Sequence, residues 1–174
     1  MRNHSYFKGN PIPDGTNAML ARCMKQVASG LKFLHEANVV HRDIKPANIL
    51  YDQNSNWKIS DLGLAKIIET SMTPKAGTPH YLAPEQMHKH YDSRVDVYAF
   101  GLIIFEICYP MKNLEDYRDC FKALRKTTPI FPEASRRLQT YSAEFDNLVR
   151  GMLQRSQANR TKIDDVVTFL NSNL

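Results

Sequence analysis

The chain has 174 residues, 43% of them hydrophobic, which suits one folded domain and argues against disorder. Its net charge of +5 is spread along the chain without runs of Lys or Arg, so nucleic acid is not an expected partner. The most apolar stretch, Val97 to Cys108, is too short to span a bilayer, so no membrane segment is expected. Three cysteines without metal-binding spacing predict reduced thiols and a cytoplasmic location.

A first helix is predicted from Asn17 to Asn38. Its apolar residues recur at steps of three and four and form one stripe: Leu20, Met24, Val27, Leu31 and Leu34. Asn38 is expected to end the helix, because Asn tolerates the left-handed conformation of a helix cap.

One β-hairpin is predicted next, from strands at 49–51 and 57–59 with a polar turn at 52–56. The residues before it, 41–48, should form an ordered loop, because Pro46 is incompatible with a regular helix. Residues 61–85 are predicted to form one long connection, because Gly and Pro residues recur along it. A loop of that length in a compact domain is usually functional.

The second half is predicted to be helical. A helix over 94–109 is apolar on nearly all sides and should therefore be buried. Further helices are expected at 114–126, at 143–154 with Ser142 as its cap, and at 162–171 with Thr161 as its cap. The predicted fold class is mainly α with one small hairpin, in a single domain over residues 1–174.

Three short motifs occur in order. His41-Arg42-Asp43 is followed by Asn48, then come Asp61-Leu62-Gly63 and Ala83-Pro84-Glu85. Each motif alone is weak evidence for a function, because a lone Asp is usually a turn former and a lone Asn is usually a helix cap. In this order, between one amphipathic and one buried helix, they resemble the protein kinase family over essentially the whole chain.

The resemblance implies a C-terminal kinase lobe, without the N-terminal lobe, that transfers phosphate from ATP with Mg²⁺. Asp43 would accept or orient the proton of the substrate hydroxyl, and Lys45 would approach the transferred phosphate. Asn48 and Asp61 would hold magnesium. The implied catalytic residues are thus Asp43, Lys45 and Asn48, and Lys45, Asn48 and Asp61 would hold the Mg-ATP. His41 is expected only to pack in the loop.

The same resemblance implies two contacts that stabilise the fold. Asp96, near the start of the buried helix, would anchor the backbone of His41 and Arg42, since a buried carboxylate needs partners. Glu85 would pair with Arg160, although Thr161 stands where the family often has Pro.

The branch of the family is left open between two readings. Lys45 and the segment 77–81 resemble serine/threonine kinases, so the expected partner is a protein with a Ser/Thr acceptor. Residues 105–110 resemble the kinases of the alpha subunit of eukaryotic initiation factor two, which carry an activating phosphothreonine where Thr73 stands. Arg42 would receive that phosphate. The alternative is an unassigned serine/threonine kinase.

The sequence contains no G-x-G-x-x-G-x-V and no V-A-I-K-like lysine before the catalytic loop, so the parts that cover ATP are missing. A fragment of an active kinase and a short protein acting without catalysis, as a decoy or binding partner, are both compatible with this. The chain by itself is expected to be inactive or nearly so.

Overall fold

The structure is a computed structural model that describes residues 16–69, 71–108, 114–126 and 142–174. Five α-helices lie in these ranges: α1 Thr16–Glu36, α2 Arg94–Cys108, α3 Leu114–Lys126, α4 Ala143–Met152 and α5 Ile163–Asn173. Four short strands accompany them: β1 Val39–Val40, β2 Ile49–Tyr51, β3 Trp57–Ile59 and β4 Lys66–Ile67. The mainly helical prediction is confirmed.

Helix α1 buries the predicted apolar stripe. Met24, Val27 and Leu31 lie in the core of the molecule. The helix begins one residue earlier than predicted, and Asn38 follows it in the left-handed conformation with φ 57°. The predicted stop is therefore confirmed, with Asn38 taking the backbone conformation that Asn tolerates better than most residues.

Helix α2 is the centre of the core. Val97, Phe100, Ile103 and Phe105 are all buried, as the all-round apolar pattern predicts. A Cβ placed on Gly101 would lie 3.0 Å from the Cβ of Met152, so the glycine lets α4 pack closely on α2. The predicted end of this helix at 109 lies outside the described residues.

The hairpin β2–β3 has the predicted bounds, with Ile49 paired to Ile59 and Tyr51 to Trp57. A single hairpin was nevertheless the wrong expectation. A second antiparallel pair joins β1 to β4, with Val39 opposite Ile67. Each of these strands is two residues long, too short for the alternation that identifies strands in a sequence. The connection 61–85 therefore contains a strand, and it also contains a 3₁₀ turn at Leu62–Leu64.

One of the two predicted helix caps is correct. The Ser142 hydroxyl accepts a hydrogen bond from the Phe145 amide at the start of α4. Thr161 is not a cap, because α5 begins after Lys162. The Thr161 Oγ1 instead packs against Gly151, where a Cβ would lie only 2.2 Å from it. The side chain that the sequence assigned to capping thus makes a close contact between α4 and the residues that precede α5.

The predicted pairing of Glu85 with Arg160 is confirmed. The Arg160 side chain is fully buried and binds both carboxylate oxygens of Glu85, with Nη2 at 3.0 Å from Oε2. It also donates to the backbone oxygens of Gln154 and Arg94 and lies over the ring of Tyr98. This cluster fastens the 3₁₀ turn at Pro84–Met87 to the connection between α4 and α5 and to the first residue of α2.

Replacing Arg160 with Met should destabilise the chain by about 3 kcal/mol, because the Glu85 carboxylate would remain buried without its counter-charge. Adding Glu85→Leu should recover part of the loss by removing that charge. Arg22→Met is the matched control, since Arg22 is exposed and should change stability by less than about 0.5 kcal/mol. Urea unfolding of the parent, these three variants and Glu85→Leu alone measures this. Strictly additive effects of the Arg160 and Glu85 substitutions would contradict it.

Candidate active site

Asp96 anchors the backbone of the loop 41–48. It lies in the first turn of α2 and is 1% exposed. Its Oδ2 accepts the His41 amide at 2.9 Å and its Oδ1 accepts the Arg42 amide at 2.8 Å. Arg42 has φ 70°, an unfavourable conformation for a residue other than glycine. The predicted anchor is therefore confirmed, and it stabilises a backbone conformation that would otherwise be costly.

Asp96 has a third partner that the sequence did not indicate. The Nε2 of His35, in the last turn of α1, lies 2.9 Å from Oδ2 of Asp96. Both side chains are nearly inaccessible to water. The carboxylate thus ties α1, the loop and α2 together.

Asp43 stands at the centre of a closed set of hydrogen bonds. Its Oδ1 accepts the Thr78 amide at 2.8 Å and the Thr78 hydroxyl at 2.6 Å. Its Oδ2 accepts Lys45 Nζ at 2.7 Å and Asn48 Nδ2 at 3.3 Å. Lys45 also reaches the Thr78 hydroxyl at 2.9 Å. The structure therefore brings Asp43, Lys45 and Asn48 together, as predicted from their motif.

These contacts decide the charge of Asp43. Burial raises the pKa of its carboxyl, but the hydrogen bonds from Lys45 and Thr78 outweigh burial and hold the pKa below its ordinary value. Asp43 is therefore an ionised acceptor at neutral pH. Its oxygens are aligned by donors on two separate stretches of the chain.

Asp61 is brought to this loop by the residue before it. The Ser60 amide donates to the backbone oxygen of Asn48 at 2.9 Å, and the Ser60 oxygen lies 2.9 Å from Nε2 of His41. Asp61 is exposed, has φ 62°, and its Oδ1 accepts the Gly63 amide. His41 thus has the packing role expected of it, and it connects the two motifs.

Asn48 and Asp61 offer oxygen atoms that could hold a magnesium ion. Asn48 Nδ2 donates to the backbone oxygen of Asp43 at 2.8 Å, so its amide oxygen is not used in that bond. The Gly63 amide binds Oδ1 of Asp61, so this turn does not use Oδ2. One amide oxygen, one carboxylate oxygen and water form an oxygen set of the kind Mg²⁺ prefers.

Thr73 and Arg42, the predicted regulatory pair, are not joined by a hydrogen bond or ion pair in the described ranges. Arg42 Nε donates to the Leu64 oxygen at 2.6 Å, and its Nη1 is buried without a partner. Thr73 is exposed. The pair remains a prediction.

Besides His35, two supporting residues escaped the sequence analysis. Nothing in the sequence around Ser60 marks it as the residue that links the first two motifs. Gln86 is buried and bridges the segment before the third motif, accepting the Ala83 amide at 2.8 Å and donating to the Ala76 oxygen at 3.1 Å. A polar residue beside a motif is the weak signal that could have indicated it.

Tyr81, which lies shortly before the third motif, contacts helices α2 and α3. The Tyr81 hydroxyl donates to Oε2 of Glu106 on α2 at 2.7 Å, and the Tyr81 ring meets Phe121 of α3 edge-on. Burial raises the pKa of Glu106 even though this hydrogen bond opposes the rise.

Cys23 and Cys120 are buried free thiols. Among the described residues, no helix is long and apolar enough to cross a membrane.

Comparison with known proteins agrees with this arrangement. The protein kinase domain family matches residues 12–169. A probable serine/threonine-protein kinase of Dictyostelium discoideum is 48% identical over 149 residues, which cover 83% of this chain and 9% of that protein. The serine/threonine-protein kinase WNK3 of Mus musculus is 33% identical over 147 residues, 82% of this chain and 8% of that protein.

The interferon-induced, double-stranded RNA-activated protein kinase of Mus musculus is 34% identical over 130 residues, covering 72% of this chain. The chain spans between 8% and 24% of the length of these three relatives. The first two motifs are joined through His41 and Ser60, and the family match extends over most of the sequence. The chain belongs to the protein kinase family.

Proposed function

We propose that the chain is the C-terminal lobe of a serine/threonine protein kinase that transfers the γ-phosphate of ATP to a hydroxyl of a protein. The observation that carries this is the alignment of the ionised Asp43 by Lys45, Asn48 and Thr78. Phosphoryl transfer requires positioned charges more than covalent chemistry, and this site supplies them. A cytoplasmic location is part of the same proposal and rests on the reduced thiols.

The proposal assigns three tasks to Asp43, Lys45, Asn48 and Asp61. Asp43 accepts the proton of the attacking hydroxyl, because its carboxylate is charged and fixed. Lys45 balances negative charge beside it as the phosphate arrives. Asn48 and Asp61 hold magnesium, which when bound supplies positive charge to the phosphate oxygens.

The substrate and the regulation are finer proposals. The expected substrate is the alpha subunit of eukaryotic initiation factor two, supported by the resemblance at residues 105–110. Phosphorylation of Thr73 is proposed to activate the site, because Thr73 is exposed and lies five residues before Thr78. Any serine/threonine acceptor protein is the alternative substrate.

A second candidate is a catalytically silent lobe that binds a partner. It is favoured by large apolar side chains at the surface, since Phe33 is 72% exposed, Ile67 63% and Leu62 56%. Such side chains are often covered by another protein surface. Measurements on a longer protein that carries this lobe distinguish the two candidates.

The 174-residue chain alone should show no saturable micromolar binding of Mg-ATP and no measurable phosphorylation of a protein substrate. The reason is that misplacing the reacting groups by about 1 Å can cost about a hundredfold in rate, and Asn48 and Asp61 alone leave the nucleotide poorly fixed. Calorimetric titration and a radiolabel transfer assay measure this. Tight binding with Asp43-dependent turnover would contradict it.

In a longer protein that carries this lobe together with a nucleotide-covering lobe, Asp43→Ala should lower the transfer rate by about 10²–10⁴-fold. Substrate binding should change little, because the carboxylate acts on the proton in transfer. The control is Asp165→Ala, an exposed carboxylate on α5. Equal losses in both variants would point to misfolding and count against the assigned role.

Thr78→Val should raise the pKa of Asp43, because it removes the hydroxyl hydrogen bond and leaves the amide bond in place. Thr78→Ser keeps the hydroxyl and should leave the pKa low. The native hydrogen bonds stabilise the fold above the unfolded pKa of the carboxyl and are lost as pH falls through the lower, folded value. Carboxyl ¹³C NMR titration of the chain measures the change. An unchanged or lower pKa in the Val variant would refute the hydrogen-bond account.

A further inference from the structure

One glutamine side chain joins the two ends of the loop that carries Thr78. Gln86 is 2% exposed and lies in the 3₁₀ turn that follows Ala83. Its Oε1 accepts the Ala83 amide at 2.8 Å, and its Nε2 donates to the Ala76 oxygen at 3.1 Å. Residues 77–82, the Thr78 loop, therefore have both of their ends bound to the same side-chain amide.

The two bonds of Gln86 differ in what they require. The bond from the Ala83 amide spans three residues and satisfies the start of the 3₁₀ turn, which an acceptor alone can do. The bond to the Ala76 oxygen spans ten residues and needs a donor. A side-chain amide supplies an acceptor and a donor from one planar group, and a buried amide needs both bonds to compensate for its removal from water.

The turn that carries Gln86 is itself held in place. The preceding residue, Glu85, is paired with the buried Arg160. The backbone of Gln86 accepts the Lys75 amide at 2.7 Å and donates to the Ala83 oxygen at 3.0 Å. The side-chain amide therefore extends from a fixed backbone, so it can hold the loop ends in place.

The Thr78 loop has little freedom between its ends. Gly77 lies against the backbone oxygen of Arg42, where a Cβ would come within 2.3 Å. The ring of Pro79 fixes its own φ at about −65°. The Tyr81 amide donates to the Thr78 oxygen at 2.9 Å and closes a turn inside the loop. Because few torsions are free, a displacement of either end would move Thr78.

Thr78 is the residue in this loop whose position affects the active site. Its amide and its hydroxyl donate to Oδ1 of Asp43 at 2.8 and 2.6 Å, and its hydroxyl accepts Lys45 Nζ at 2.9 Å. Hydrogen bonds weaken when their distance and angle depart from the optimum. A small movement of the loop would therefore loosen two of the donors that align the Asp43 carboxylate.

We propose that Gln86 is a positioning residue of the active site: its side-chain amide holds the Thr78 loop closed and thereby keeps the two Thr78 donors on Asp43. Gln86 binds the backbone at both ends of the loop and acts on Asp43 through Thr78. The effect on phosphate transfer rests on the proposed function, whereas the effect on the loop does not.

Amide hydrogen exchange in the 174-residue chain, followed by NMR, tests the effect on the loop. Gln86→Met keeps the length of the side chain and removes both bonds. It should accelerate exchange of the Thr78 amide about five- to tenfold, because the loop opens more often once its ends are released. Thr78 makes no bond to Gln86, so a glutamine that only satisfied its own turn would change the Ala83 amide alone.

Gln26→Met is the matched control. The Gln26 side chain makes the same two kinds of bond at the hairpin β2–β3, where its Oε1 accepts the Trp57 amide at 2.8 Å and its Nε2 donates to Oδ1 of Asn56 at 3.2 Å. This substitution should accelerate exchange of the Trp57 amide and leave the Thr78 amide unchanged. Gln86→Met should have the opposite pattern.

Gln86→Glu separates the two bonds. The carboxylate still accepts the Ala83 amide but cannot donate to the Ala76 oxygen, so exchange at Thr78 should accelerate while Ala83 stays protected. The parent provides a measurement that needs no variant. There the Ala83 amide should open no more often than the Thr78 amide, because loss of the Gln86 bond releases the loop.

Faster exchange at Ala83 with unchanged exchange at Thr78 in Gln86→Met would overturn the proposal. So would a parent in which Ala83 opens while Thr78 stays protected. Transfer is tested separately in the longer protein, where Gln86→Met should lower kcat about tenfold at an unchanged KM for ATP and Gln26→Met should change neither. If Thr78 is released in the chain while kcat is unchanged, the role of Gln86 in holding the loop stands and the proposed role of the aligned Asp43 fails.

Discussion

The buried charge of Asp96 is the constraint on which the active site depends. A carboxylate removed from water is stable only when its oxygens are hydrogen-bonded, and here two consecutive amides and one imidazole satisfy them. Its place in the first turn of α2 adds the favourable field of the helix N-terminus. Because the amides are those of His41 and Arg42, the same bonds set the left-handed turn that precedes Asp43.

The orientation of Asp43 then depends on how closely a second segment can approach the loop. Gly77 has φ 121°, and a Cβ there would lie 2.3 Å from the backbone oxygen of Arg42. Only glycine permits both the conformation and the contact. Its successor Thr78 is thereby placed to donate both its amide and its hydroxyl to Asp43. The low pKa of the Asp43 carboxyl therefore depends on the hydrogen bond from Lys45 and also on the backbone geometry that places Thr78.

Residues with strong periodic or chemical signals were well predicted from the sequence. The stripe of α1, the all-round burial of α2 and the Ser142 cap follow from local rules that tertiary packing did not override. Thr161 and the β1–β4 pair were missed because each is decided by a distant contact, with Gly151 in one case and between residues 26 and 28 positions apart in the other. The motifs indicated which residues share a site. They could not indicate Ser60 or His35, whose roles depend on which backbone groups the fold brings beside them.

The segment 71–87 is fixed at three separate places: by Met72 in the core, by Tyr81 on Glu106 and by Glu85 on Arg160. Thr73 and Thr78 lie on this one stretch, one facing solvent and the other bonded to Asp43. Gln86 binds Ala76 and Ala83, which lie on either side of Thr78. The position of Thr78 beside Asp43 therefore depends on these attachments as well as on the loop that carries Asp43.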